Sequence, residues 1–158
     1  MTTSFVVREA TSAADVDAVR DLVLAHVEER TAMPGIEHMR ADAIRLPGPY
    51  VPPRGAIFLA RSGDEPIGCV ALRPLPSGIG EVKRMYVGAA WRGKGVGRAL
   101  LEALIARARA MGYSALRLGT VTEMTAARTL YASLGFTPIG RYRPDEMVDT
   151  EFYELTLT

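Results

Sequence analysis

The sequence predicts one α/β domain built on a mixed, mostly antiparallel central sheet flanked by helices, with a single parallel βαβ unit inside it. Three observations carry that expectation. Residues Glu81 to Met111 read as a strand, a glycine-rich turn and a long amphipathic helix. The next apolar run, Ala115 to Thr120, must then lie parallel to that strand, because a helix crosses between them. Ahead of this unit stand strand-like runs joined by short turns, the pattern of an antiparallel meander. The 158 residues, 48% hydrophobic and 23% charged, suit a single domain spanning residues 1–158 with a real core.

Taken in order, Phe5 to Glu9 alternates as a first strand. Ser12 followed by Asp15 gives an N-cap with an acidic first turn, opening a helix through Val16, Val19, Leu22, Val23 and Val27. Met33-Pro34-Gly35 breaks it, and a weaker helix runs from about Ile36 to Leu46. LPGPYVPPRG, rich in proline and glycine, is a loop. Ala56 to Arg61 and Pro66 to Arg73 form a hairpin about Ser62-Gly63-Asp64-Glu65. Pro74 to Gly80 is a second turn leading into a strand from Glu81 to Val87. Leu100, Leu101, Leu104, Ile105, Ala108 and Met111 recur at helical spacing after Gly97, and Gly112 caps that helix. Thr125 to Leu134 is a short helix ending at Gly135, and Thr137 to Arg141 and Glu151 to Leu157 are closing strands.

Composition excludes several functions. A net charge of +1 argues against bulk nucleic-acid binding, which needs a strongly basic face. Cys69 is the only cysteine, so no internal disulfide or cysteine metal cluster forms, and His26 and His38 lack metal-ligand spacing. There is no charged leader before an apolar run and no apolar stretch long enough to span a bilayer, so the expected location is cytoplasmic, with no membrane or metal partner.

A glycine turn opening a helix presents free N–H groups at the positive end of the helix dipole, and Arg92, Lys94 and Arg98 flank this one. Residues 92–98 are therefore a phosphate site. Gly88, Gly93 and Lys94 match most of the nucleotide pattern GxxxxGK[ST], but Gly95 stands where a hydroxyl would hold magnesium. Gly93 and Gly95 match a dinucleotide GxG, but Arg98 replaces the third glycine and the following strand LRLGT ends without a ribose-binding acid.

Arg92-Gly93-Lys94-Gly95-Val96-Gly97 fits [Arg/Gln]xxGxG, and Ala126 through Phe136 reads "A…LYxxLGF". With both motifs in order, the chain resembles the GNAT superfamily of acyl-CoA-dependent N-acyltransferases, densely over Glu81 to Phe136 and elsewhere through element order. The resemblance implies acetyl-CoA as cosubstrate and a small-molecule or peptide amine as acceptor, in a monomer or homodimer. It implies that the main chain of Arg92, Gly93, Lys94, Gly95, Val96, Gly97 and Arg98 holds the pyrophosphate. It places the strand segment Met85-Tyr86-Val87 along the pantetheine arm, bonded through the main chains of Met85 and Val87. Tyr131 takes the position of the tyrosine that protonates the departing thiolate. Met124 stands where many members have an asparagine that contacts CoA.

Acyl transfer to an amine needs the amine neutral, although its pKa is about 10, so a base helps. Glu81 is the candidate, against a surface role or a pairing with Lys83 or Arg84. Tyr86, Tyr142, Arg54 and Arg73 are candidates to line the acceptor pocket, against plain packing or solvated surface. A non-catalytic acyl-CoA-binding module is the alternative function, one indifferent to changes at Tyr131 and Glu81.

Overall fold

The computed structural model describes residues 4–33, 35–121, 125–144 and 150–157. Along the chain run β1 (Val6–Glu9), α1 (Ala13–Glu29), α2 (Ile36–Ile44), β2 (Ala56–Ser62), β3 (Glu65–Leu75), β4 (Ile79–Val87), α3 (Val96–Ala110), β5 (Ala115–Val121), α4 (Thr125–Ser133), β6 (Thr137–Ile139) and β7 (Thr150–Thr156). The element order is the one the sequence predicts. The caps that delimit the helices are local. Ser12 Oγ accepts the Asp15 N–H at 3.1 Å to start α1. The N–H groups of Tyr113 and Gly112 return to the carbonyls of Ala108 and Arg109 to close α3. Pro34, part of the expected break before α2, lies outside the described residues.

All seven strands join one mixed sheet in the order β1-β2-β3-β4-β5-β7-β6. The β4–β5 pair is parallel, and the others are antiparallel. Helices α3 and α4 cover one face, where Leu100, Leu101 and Leu104 of α3 are fully buried against Val70, Leu72, Val82 and Leu116. Each such leucine contributes about 2 kcal/mol of burial. Helices α1 and α2 cover the other face, packing Val19, Val23 and Ala43 on Ile57, Leu59, Cys69 and Ala71. Among the described residues, no helix is long and apolar enough to cross a membrane.

One expected boundary moves, with consequences for the site. The turn predicted over Pro74 to Gly80 shrinks to Pro76–Gly78, because β3 and β4 stay paired as far as Leu75 and Ile79. Pro74 is tolerated there since β2 stops at the Ala56–Leu72 pair, so no third strand asks for its missing N–H. Glu81 therefore does not begin its strand. It sits inside the sheet, paired with Arg73 on β3 and Arg117 on β5.

The central strands then part. The parallel register covers only Ile79–Ala115, Gly80–Leu116 and Glu81–Arg117. Beyond Glu81, β4 continues to Val87 with β3 on one side and no β5 partner on the other. This opening positions the site.

Candidate active site

The glycine turn sits at the end of the parted strand. Gly95 is the N-cap of α3 at φ +86°, and Gly93 lies at φ +77°, conformations that cost a side-chain-bearing residue about 1–2 kcal/mol. The first helical bond runs from the Ala99 N–H to the Gly95 carbonyl at 3.1 Å. Helix geometry leaves the N–H groups of Val96, Gly97 and Arg98 without helical acceptors, at the positive end of a 15-residue helix. A Cβ on Gly97 would come within 3.0 Å of Met85 Cε and 3.2 Å of Leu130 Cδ2, so its bareness lets α3 approach both β4 and α4.

The cations of the turn are anchored rather than loose. The Arg92 guanidinium donates to the Val87 carbonyl at 2.9 Å and to Glu29 Oε1 at 2.6 Å. Lys94 Nζ lies 5.3 Å from the ring centroid of Trp91, which meets Phe5 edge-on. Arg98 donates to Ser133 Oγ at 2.7 Å, joining the start of α3 to the end of α4.

Hydrogen bonding in β4 decides which main-chain groups are available. The Gly88 N–H bonds to the Ile67 carbonyl at 2.9 Å, so the adjacent Val87 turns its N–H and carbonyl away from β3. Alternation gives Met85 the same direction, toward the β4–β5 gap. Tyr86 faces the other way. Its main chain lies in the ladder opposite Cys69, its ring stacks on His26 at 4.9 Å, and its hydroxyl donates to Glu29. The expectation sets Tyr86 beside Met85 and Val87 against the donor; the structure turns its main chain to β3 and its side chain to α1, so one residue in three of that segment faces away from the gap. An extended arm with amide groups fits the free edge of β4, and a diphosphate fits the α3 N-terminus beyond it.

Tyr131 lies on α4, one residue from the Leu130 that meets Gly97 and two from the Ser133 that holds Arg98. It is 5% exposed, with Phe136 at 5.7 Å between ring centroids. Burial pushes its hydroxyl up to about 12, with no hydrogen bond to a described residue contributing. A phenol in that state holds its proton throughout the neutral range. Met124 lies outside the described residues.

Glu81 is 1% exposed and surrounded by cations. Its carboxylate accepts from Arg73 Nε at 2.8 Å, from Arg143 Nε and an Arg143 terminal nitrogen at 2.7 Å each, and from the Tyr142 hydroxyl at 2.7 Å. Burial raises its pKa, but Arg143, the Lys83 charge, Tyr142 and Arg73 outweigh that and bring it to about 2. Such a carboxylate is an anchor with filled lone pairs and a poor base. The expectation of Glu81 as the base rested on its beginning the strand and on similar proteins carrying a base at that position; the longer β4 changes the first of these grounds, placing Glu81 inside the strand. Of the four acceptor candidates, Tyr142 and Arg73 meet at Glu81, and Tyr86 sits on α1. Arg54 lies 4.5 Å over the ring of Tyr113, beyond the opposite end of α3 from the glycine turn.

Arg143, Asp42 and Tyr50 were not singled out by sequence. Arg143 gave no local signal. Asp42 on α2 accepts from Arg84 at 2.6 Å and from the Tyr50 hydroxyl at 2.8 Å, with all three side chains buried. Two adjacent charges, Lys83-Arg84, before Met85 interrupt the alternation of β4, and that break was the legible trace. Burial, and next the Arg30 charge, lowers His26 to about 4. The buried Cys69 thiol is pushed up to about 12 and donates to the Arg84 carbonyl at 3.4 Å. Among the described residues, no group of three His, Cys, Asp or Glu side chains could hold a metal.

With this geometry in view, comparison with known proteins is informative. The family model described as acetyltransferase (GNAT) family matches residues 23–136. The N-acetyltransferase YsnE of Bacillus subtilis is 36% identical over 121 residues, covering 75% of this chain and 78% of YsnE. N-acetyltransferase 8F1 of Rattus norvegicus is 32% identical over 108 residues, covering 65% of this chain and 49% of the rat protein, so this chain spans about half its length. The structure of yncA from Salmonella typhimurium, solved with acetyl-CoA, matches 99% of this chain and 95% of that one with a TM-score of 0.72 at 23% identity, a likeness of fold.

Proposed function

The chain belongs to the acetyltransferase (GNAT) family, and on that premise we propose that it moves an acetyl group from acetyl-CoA to a primary amine by direct transfer, with both substrates bound at once. The observation that carries the reading is the edge of β4 at Met85 and Val87, beyond its last β5 pair and with the Val87 carbonyl held by Arg92, running into the glycine-capped N-terminus of α3. The N–H groups from Gly93 to Arg98 hold the diphosphate there, the Arg92 N–H being bonded to the Ala89 carbonyl, and the main-chain groups of Met85 and Val87 hold the pantetheine arm as an added strand. The acetyl-CoA bound to yncA supports the choice of donor. The donor supplies an activated thioester, and the chain supplies position and protons.

Tyr131 is the proton donor to the departing thiolate, its phenol kept protonated by burial. A β4 edge N–H polarises the acyl carbonyl. Cys69 does not relay the acyl group, since its thiol is sealed and far from ionising near neutral pH. Glu81 orients Arg73, Arg143 and Tyr142 instead of taking the amine proton, which leaves to water.

Calorimetry with acetyl-CoA is the first test: saturable binding is expected, and its absence from folded protein sinks the proposal. A thiol-release assay over a panel of amines then separates an enzyme from a binding module. The enzyme loses turnover in Tyr131→Phe while keeping donor affinity; the module shows no turnover to lose.

A further inference from the structure

β4 carries an irregularity that the reaction needs and that the rest of the site does not explain. Opposite β3 its register runs Leu72–Val82 and Ala71–Lys83, then resumes at Cys69–Tyr86 and Gly68–Val87. Two residues, Arg84 and Met85, thus stand against the single Val70, a β-bulge. Arg84 takes φ +57°, a left-handed conformation for a residue with a side chain. The bulge resets the phase of everything after it. Strict alternation from Val82, which packs on the α3 face, would send Tyr86 to that face and Met85 and Val87 to the α1 face. The observed arrangement is the reverse: Met85 and Val87 pack toward α3 and Tyr86 toward α1. The same reset aims the Met85 and Val87 main chains into the gap.

Left-handed backbone in a strand persists only where its surroundings fix it. Here the fixing group is visible. Arg84 Nε meets Asp42 Oδ2 at 2.6 Å, the two side chains are 8% and 9% exposed, and Tyr50 holds the same carboxylate oxygen from the loop after α2. The Cys69 thiol holds the Arg84 carbonyl from the neighbouring strand. We infer that Arg84 and Asp42 are positioning residues for the donor: their buried ion pair locks the bulge that turns the Met85 and Val87 main chains toward the β4–β5 gap. The inference rests on the acyl-CoA reading of that gap.

Two substitutions at one position separate a lock from a structural ion pair. Arg84→Gly and Arg84→Ala both delete the pair, but glycine takes the left-handed conformation freely and alanine does not. Arg84→Gly should bind coenzyme A within about threefold of wild type, and Arg84→Ala about tenfold more weakly, because the competent backbone is less populated. In thiol release, KM for acetyl-CoA should follow that difference and kcat should change less. Equal binding by the two variants overturns the lock, and so does failure of both to fold. A folded glycine variant beside an unfolded alanine variant supports it, since only the backbone preference differs. Amide resonances of Met85 and Val87 in the free protein give an independent readout, moving in Arg84→Ala and not in Arg84→Gly; any other pattern overturns the lock. A wild type that binds no coenzyme A refutes the acyl-CoA reading alone, and these resonances still judge the lock.

Discussion

Replacing Glu81 by glutamine tests whether that carboxylate is an anchor or a base. Its pKa falls from 4.5 to about 2 on folding. That difference corresponds to about 3 kcal/mol of stability when the group is ionised in both states. Because the folded value is the lower one, the contribution is complete above about pH 5 and disappears as the pH falls through 2. At pH 3 less than half of it survives. Glu81→Gln removes the charge and leaves Arg73 and Arg143 facing a neutral amide. Both guanidiniums are partly exposed and can turn to water, which keeps the cost near the low end of the 3–5 kcal/mol range of broken buried pairs, about 3 kcal/mol. Urea unfolding followed by circular dichroism should show wild type ahead by about 3 kcal/mol at pH 7 and by less than half of that at pH 3. The other carboxylates are common to both proteins, so the difference isolates this one. A gap that stays constant from pH 7 to pH 3 would falsify the ion-paired state of Glu81.

Three further outcomes follow from the same geometry. Tyr131→Phe should lower kcat in thiol release by about 10²- to 10³-fold with acetyl-CoA affinity unchanged, and a variant that keeps full turnover removes Tyr131 as the acid. The rate at low amine concentration should rise tenfold per pH unit toward the amine's own pKa, about 10, because His26 at about 4 and Glu81 at about 2 have finished titrating well below pH 6. A bend at pH 6–7 would reveal an enzymic base and refute proton loss to water. Gly97→Ala should cost about 1 kcal/mol, lowering Tm by a few degrees, as its Cβ presses on Met85 Cε at 3.0 Å and Leu130 Cδ2 at 3.2 Å; an unchanged Tm would show that those flexible ends give way freely.

Much of the fold could be read from the sequence because its signals are local. The Ser12 cap, the 3.6-residue repeat from Leu100 to Ala108 and the closing Gly112 are each settled by a few neighbouring residues, and α1 and α3 appear where those signals put them. The turn after β3 was misplaced because Pro74 reads as a breaker from local chemistry alone. Its place beyond the last β2 pairing, which makes it harmless, is a property of the assembled sheet.

The candidate site divides along the same line. Its proposed donor half consists of main-chain groups on one continuous stretch, Met85 to Arg98, so the glycines and the strand before them expose it to a reader of sequence. The polar half depends on register. Glu81 meets Arg143 and Tyr142 across 62 and 61 positions, and Arg84 meets Asp42 across 42. No spacing rule joins residues at those separations. They come together because β4 lies at the centre of the sheet, where α2 brings Asp42 to Arg84 and the segment after β6 brings Tyr142 and Arg143 to Glu81. The two halves also differ in what they tolerate. The main-chain half constrains side chains only where a Cβ would collide or φ is positive, as at Gly97 and Gly95. The polar half constrains charge, most tightly at Arg84 and Asp42, where both side chains are buried and removing the arginine leaves a buried carboxylate without its cation. One strand thus serves both purposes, and the bulge at Arg84 is where they meet: a side chain held by the polar half sets the backbone that the donor half presents.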